Sequence, residues 1–252
     1  MTQDSESLAE GTLISHLLEL RNRLMRAFLG VILVFIPCAI YSNELFELIA
    51  RPLMAKLPAN GMLVATDITA PFTTPFKLSF VVAAVLAMPY VIFELWRFIA
   101  PGLYRNERRI ALPILVSAIV LFYIGASFAY FAVFPVIFEF FISTAPKGVA
   151  VMTDITKYLD FVLVLVFAFG AAFEMPVAVV LLVAMGVVSV EKLRAWRGYV
   201  LIIIFIVAAI LTPPDAVSQC IMAIPMYLLY ECGILFGALL NKRRAREAAQ
   251  ES

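Results

Sequence analysis

The sequence predicts an all-α, polytopic membrane protein with six transmembrane helices, the last two short and the outer ends capped by semi-apolar segments. Composition is the first reason: 63% of the 252 residues are hydrophobic, 15% are charged, and mean hydropathy is +0.99. A soluble domain is about 45–50% apolar and about 25% charged, so the solvent for this surface has to be a bilayer. Four apolar runs are the second, at 27–43 (slightly short), 76–96, 110–134 and 159–186. Each reaches or approaches the roughly 20 residues that span a hydrocarbon core. The third is Thr212-Pro213-Pro214-Asp215, which interrupts the apolar stretch 198–236. Two prolines withhold backbone donors and clash with the preceding turn, and Asp215 is a good N-cap for a new helix. The stretch therefore reads as two helices.

The chain divides into an amphipathic cytoplasmic N-terminus (1–26), the six-helix membrane domain (27–240) and a cytoplasmic tail (241–252). Orientation follows from lysine and arginine in the connections. Arg21, Arg23 and Arg26 precede the first span, and Arg97, Arg105, Arg108 and Arg109 flank the second-to-third connection. Lys192, Arg194 and Arg197 mark the fourth-to-fifth connection, and Lys242, Arg243, Arg244 and Arg246 the tail. Only Arg51, Lys56, Lys77, Lys147 and Lys157 fall on the other side, so both ends are expected inside. The outer segments 44–75 and 135–158 are expected to form short helices and turns over the ends of the spans. Each carries Thr-Asp-Ile-Thr, at 66–69 and 153–156, just ahead of a span. A repeated helix-entry turn capped by Asp or Thr explains this better than an internal duplication, since nothing else aligns around it.

The fifth helix, Tyr199 to Leu211, has 13 residues, or about 20 Å, against a core of about 30 Å. The sixth carries Gln219, Pro225 and Glu231 along its length. Such short spans imply a locally thinned bilayer.

Several function classes drop out. Net charge is +1, which provides no general attraction for nucleic acid, and the single histidine, His16, rules out a histidine metal cluster. Cys38, Cys220 and Cys232 sit in apolar runs without CxxC spacing and read as small hydrophobes. The acidic start (Asp4, Glu6, Glu10) argues against a cleaved signal peptide. No phosphate loop is present, and no nucleophile-base pair sits at helix depth as an intramembrane hydrolase would need. A small-solute transporter would show inverted repeats and a polar midplane cluster, and neither is visible. A purely structural scaffold stays open, though it would leave an acidic residue inside a span unexplained.

That residue is Glu174, in Phe169-Gly170-Ala171-Ala172-Phe173-Glu174-Met175-Pro176. Ionisable groups at membrane depth are costly and tend to be functional, and Pro176 should bend the helix beside it. Glu174 is either an acid bonded to a neighbouring helix or, the favoured reading, a polar intramembrane surface touched by a partner or substrate. Glu94 reads as a local pair with Arg97, and Glu231 similarly as structural. Glu19, in an amphipathic entry to the first helix, and Glu107, in a connection fixed by Pro101 and Gly102, are harder to explain structurally.

Five motifs then fall in register with one family: His16-Leu17-Leu18-Glu19-Leu20-Arg21, Arg51-Pro52-Leu53, Phe98-Ile99-Ala100-Pro101-Gly102-Leu103-Tyr104 with Glu107-Arg108-Arg109, Phe169-Gly170 with Phe173-Glu174-Met175-Pro176, and Leu211-Thr212-Pro213-Pro214-Asp215. In that order, from about residue 12 to residue 240, the chain resembles the TatC family, the signal-receptor subunit of the twin-arginine protein translocase. The resemblance implies a receptor, not an enzyme, that binds twin-arginine signal peptides of folded proteins. It implies export across the bacterial cytoplasmic (inner) membrane driven by protonmotive force, with no cofactor and no metal. TatA-type and TatB-type single-span subunits are the implied partners, in an oligomeric receptor complex, and the capping segments would be periplasmic. Carried over by position, Glu19, Glu107 and Phe98 would bind the signal peptide, and Glu174 would face an intramembrane groove. Thr212, Pro213, Asp215 and Gln219 would dock partner helices, and Pro52 would belong to the structural cap. Guanidinium meets carboxylate through two parallel hydrogen bonds, which an ammonium cannot do, so paired carboxylates suit a twin-arginine tag.

Overall fold

The computed structural model describes residues 3–54, 63–99, 108–144, 153–212 and 215–250. Ten α-helices occur among them: α1 Gln3–Ile40, α2 Ser42–Met54, α3 Ala70–Ile99, α4 Arg108–Phe128, α5 Phe134–Ser143, α6 Ile155–Phe173, α7 Met175–Ala184, α8 Val190–Ala195, α9 Arg197–Leu211 and α10 Ala216–Gln250. A π-helical turn, Ala129–Val133, joins α4 to α5. Two short strands, β1 (Leu63–Val64) and β2 (Thr153–Asp154), pair in parallel, Leu63 beside Thr153 and Val64 beside Asp154. Five stretches are long and apolar enough to span: Ser15–Ile40, Ala70–Ile99, Leu112–Ser143, Ile155–Ala184 and Ala216–Arg243. The shorter apolar α9 makes the sixth.

Several expectations change in detail. The amphipathic start is continuous with the first span, because α1 runs unbroken from Gln3 to Ile40. Residues 135–143 do not form a separate outer cap. They continue the third span through the π turn, where the Phe134 N–H donates to the Ala129 carbonyl one residue beyond the α register. Pro135, which has no N–H, follows directly, so the altered register sits where the α ladder would lose a donor. α9 is short, 15 residues or about 22 Å. α10, also expected to be short, is instead 35 residues long, and Pro225 does not end it.

Packing groups the chain into two units, Met1–Leu48 with Pro75–Leu115, and Ile49–Thr74 with Val116–Ser252. In the first, α1 and α3 run antiparallel. Phe35 lies edge-on to Phe76 and Phe80, Gly30 meets the Tyr90 ring, and His16 stacks on Phe98 at 4.4 Å. Numbering falls on α1 as it rises on α3, so the arginine-bearing middle of α1 lies beside the Arg97 end of α3. A Cβ on Gly30 would lie 2.5 Å from the tyrosine ring, so the missing side chain is what admits the contact.

In the second unit α4 crosses α6 at two glycines. A Cβ on Gly125 would lie 2.5 Å from the Phe169 carbonyl oxygen, and one on Gly170 would lie 2.5 Å from the Phe122 ring. Close approach through small residues is the usual way helices associate in lipid, where no hydrophobic force drives them together. α10 packs on α7 in the same manner, with Gly233 against Val179 and Pro176. Val179, Val183, Val190, Leu193, Tyr230 and Ile234 form a buried cluster there, and the Tyr230 hydroxyl donates to the Leu193 carbonyl at 2.8 Å.

Both Thr-Asp-Ile-Thr copies are helix-entry turns, as expected. Asp67 accepts from the Thr69 N–H and hydroxyl ahead of α3. Asp154 is the N-cap of α6, its Oδ1 accepting from the N–H groups of Thr156 and Lys157 at 2.8 and 2.9 Å. The two copies also bond to each other. The Thr66 hydroxyl and N–H donate to Asp154 Oδ2, and the Thr74 and Thr156 hydroxyls meet at 3.0 Å.

These donors, the Thr66 hydroxyl foremost, hold the Asp154 carboxyl below its ordinary value of 3.8. A carboxylate depressed by folding stabilises fully above that ordinary value, and the contribution is lost as pH falls through the lower folded value. Asp154→Ala should therefore melt at a lower temperature than the parent at pH 7, with the gap narrowing below about pH 4. Thermal unfolding of the detergent-solubilised proteins at pH 7 and pH 3 checks this. Equal melting at pH 7 would rule out the cap as a stabilising device.

Candidate functional site

The first candidate lies where the middle of α1 meets the last turns of α3. Glu19 faces Arg23 one turn on, and the Arg23 Nε and Nη2 both donate to Glu19 Oε1, at 3.0 and 2.5 Å. The remaining nitrogen, Nη1, lies 3.5 Å from Oε2 of Glu94 on α3. Arg97, one turn beyond Glu94, is 3.9 Å from its other oxygen and lies over the Phe93 ring. Glu94 is 3% exposed and Arg23 14%, while Glu19 is 41% exposed. Two carboxylates and two guanidiniums thus neutralise each other, with Glu19 the more exposed of the two carboxylates.

Phe98 was expected beside this site. It stacks on His16, which sits three residues before Glu19 on the same helix, and so within one turn of it. Glu94 is not a local pair with Arg97 alone: its nearer guanidinium comes from the other helix. Sequence reasoning placed neither His16 nor Arg23 in the site. The four-residue spacing of Glu19 and Arg23 was readable, whereas the reach from α1 to Glu94 depends on helix register. Glu107 lies outside the described residues.

The second candidate is the break between α6 and α7. Glu174 is the single residue between them, and Pro176 follows at the start of α7. The backbone is repaired locally, by the Glu174 N–H donating to the Ala171 carbonyl and the Ala178 N–H to the Glu174 carbonyl. The side chain is half-buried, and among the described residues its buried Oε1 has no hydrogen-bond partner. The acid-bonded-to-a-neighbour alternative therefore has no counterpart at that atom.

The third is the turn between α9 and α10. The Thr212 hydroxyl donates to the Ala208 carbonyl at 2.8 Å, and Asp215 Oδ1 caps α10 by accepting from the Ser218 N–H at 2.7 Å. Asp215 Oδ2 and Ser218 Oγ are buried without a partner among the described residues. Gln219 is half-buried one turn into α10. Ile204 and Ala208 are the buried positions of α9, whereas Ile202, Ile203, Ile206 and Ile210 are exposed along it. At the start of α9, Arg197 bonds Glu231 of α10 at 2.6 Å, so Glu231 is structural, but across helices. Pro213 lies outside the described residues; Pro52 falls in α2, and its side chain is likewise outside them. Among the described residues no group of histidine, cysteine and carboxylate side chains could hold a metal ion.

Six apolar helices, with acidic side chains at a helix break and beside one end of α3, define a multi-pass membrane protein. A family model described as "Sec-independent protein translocase protein (TatC)" matches residues 15–225. The chain is 49% identical over 236 residues to the Sec-independent protein translocase protein TatC of Escherichia coli (strain K12), covering 93% of this chain and 92% of that one. It is 48% identical over 249 residues to the protein of the same name from Azotobacter chroococcum mcd 1, covering 99% and 98%. A crystal structure of the "Twin Arginine Translocase Receptor- TatC" superposes with a TM-score of 0.80 at 36% identity, covering 89% of this chain and 98% of that one. The chain belongs to the TatC family, and is a protein-transport component rather than an enzyme.

Proposed function

We infer that this chain is the receptor component of a twin-arginine translocase, with Glu19 on α1 and Phe98 on α3 as the described part of the signal-peptide site. It binds twin-arginine signal peptides of folded passengers and mediates their export, using the protonmotive force, across the bacterial inner membrane. Both termini are cytoplasmic, in keeping with the lysine and arginine distribution. The N-terminal 26 residues and the tail after 240 flank the membrane domain on that side. TatA-type and TatB-type subunits assemble with it, docking at the exposed face of α9 and the turn carrying Thr212, Pro213, Asp215 and Gln219. Glu174 faces an intramembrane groove, Glu107 completes the signal site, and Pro52 belongs to the periplasmic cap.

The observation that carries this reading is Glu19. It is a half-exposed carboxylate with its neighbouring charges already balanced, flanked by the apolar Phe98–His16 stack, in a chain of the TatC family. A guanidinium can bond such a carboxylate strongly. The ring stack offers an apolar flank for the residue after the arginines.

Retention of a twin-arginine peptide by the purified protein tests it. Glu19→Gln and Glu107→Ala should each weaken retention by roughly tenfold or more, the loss of one hydrogen bond to a charged group, at unchanged abundance. Native retention in Glu19→Gln would remove that residue from the site.

A further inference from the structure

The odd feature of the α1–α3 cluster is what occupies Glu19. A guanidinium is already there, and it belongs to the protein: Arg23 places two of its N–H donors on one carboxylate oxygen. The same side chain has a second acceptor within reach. Arg23 Nη1 and Glu94 Oε2 face each other at 3.5 Å, and neither has a hydrogen bond among the described residues. Two buried, unsatisfied atoms of opposite charge, a few tenths of an ångström beyond bonding distance, describe a position ready to be taken up. Arg97 supports Glu94 only loosely, at 3.9 Å and half-exposed, so Glu94 has capacity for a second guanidinium.

We propose that Arg23 is a built-in competitor for Glu19, a residue that sets the affinity threshold for binding, which an incoming guanidinium displaces and Glu94 then holds. The proposal rests on Glu19 being part of the signal-peptide site. In the free receptor Arg23 stands in for the ligand's arginine. On binding, the ligand takes Glu19 and Arg23 closes onto Glu94, so neither carboxylate is left without a guanidinium. On release Arg23 returns, which gives the receptor its own means of evicting the peptide.

The thermodynamic consequence is definite. Displacing Arg23 costs the same whichever ligand does it, so every cationic peptide is weakened by one common factor. Strong ligands with two guanidiniums still bind at working concentration. Weaker ones, such as a basic N-terminus with one arginine, are pushed below it. Arg23 therefore sets a threshold without altering the intrinsic preference between two peptides. Lysine at this position would compete less well, because an ammonium lacks the fork that bonds a carboxylate twice.

Equilibrium binding to the full-length protein in nanodiscs tests this with two fluorescent signal peptides, one with Arg-Arg and one with Arg-Lys. The variants are Arg23→Lys, which keeps a cation beside Glu94, and Arg23→Gln/Glu94→Gln, which removes competitor and buried carboxylate together. The double variant should bind both peptides more tightly by a common factor, roughly tenfold, with their affinity ratio preserved. Arg23→Lys should shift both in the same direction by less. A merely structural Arg23 would move affinity the other way, so unchanged or weakened binding of both peptides overturns the proposal. Glu19→Gln reports on the underlying site: native binding there removes the site and the proposal together. Lost binding in Glu19→Gln with no tightening in the double variant removes Arg23's role alone.

Discussion

Arg23→Ala should destabilise the protein by about 3 kcal/mol, the lower end of the cost of removing one partner from a buried ion pair. The physical reason is Glu94. At 3% exposure its carboxylate has given up its hydration, and Arg23 is the closer of the two guanidiniums that compensate. Without Arg23 the carboxylate keeps only Arg97, at 3.9 Å. The lower end applies because Arg97 remains and because Arg23 is itself 14% exposed. Adding Glu94→Gln should recover most of the loss, since an amide tolerates the site without a countercharge, whereas Glu94→Gln alone strands part of Arg23. Melting temperatures of the four proteins in one detergent form a double-mutant cycle. Additive effects would show that Arg23 and Glu94 do not share an interaction, and the exchange proposed for peptide binding would lose its second position.

What the sequence made legible, and what it did not, divides along a physical line. Local rules worked where a single segment decides the outcome. The Thr-Asp-Ile-Thr copies read as capped helix entries because an aspartate two or three residues before a helical N–H acts within its own turn. The distortion at Glu174 was legible from Pro176, although the prolines inside α1, α3, α4 and α10 show that a missing donor alone does not end a helix. Length was harder. α10 passes through Pro225 and continues to Gln250, because charged residues after 241 can extend a helix beyond the hydrocarbon. The π turn left no sequence signature beyond Pro135.

Pairings between segments were not legible at all. Glu94 looked satisfied by Arg97 on its own helix, and Glu231 by its own surroundings. Their closer partners are Arg23 and Arg197, 71 and 34 positions away in the chain. Likewise both capping turns were visible singly, but the bond from Thr66 to Asp154 that joins them was not. The resemblance supplied residues by position, and the packing supplied what each one touches.

Glu174→Leu is expected to separate stability from transport. Leucine fills the space of the side chain, with slightly more bulk, without its polar atoms, and Glu174 has a buried oxygen that nothing among the described residues bonds. Leaving such an atom unmet costs about 1–3 kcal/mol, so the variant should melt above the parent. The break itself should persist, because Pro176 and the flanking carbonyl bonds are untouched. If Glu174 is a polar surface for a signal peptide or partner helix, the same substitution should lower export of a twin-arginine passenger in cells depleted of the native protein. Glu174→Gln, which keeps a hydrogen-bonding group, should fall between on both measures. Lower export from the more stable variant would mean that the unmet Glu174 oxygen is kept, against stability, for a contact outside the fold. Full export by a more stable Glu174→Leu would show that the acid serves nothing in transport, and the groove assignment would fall with it.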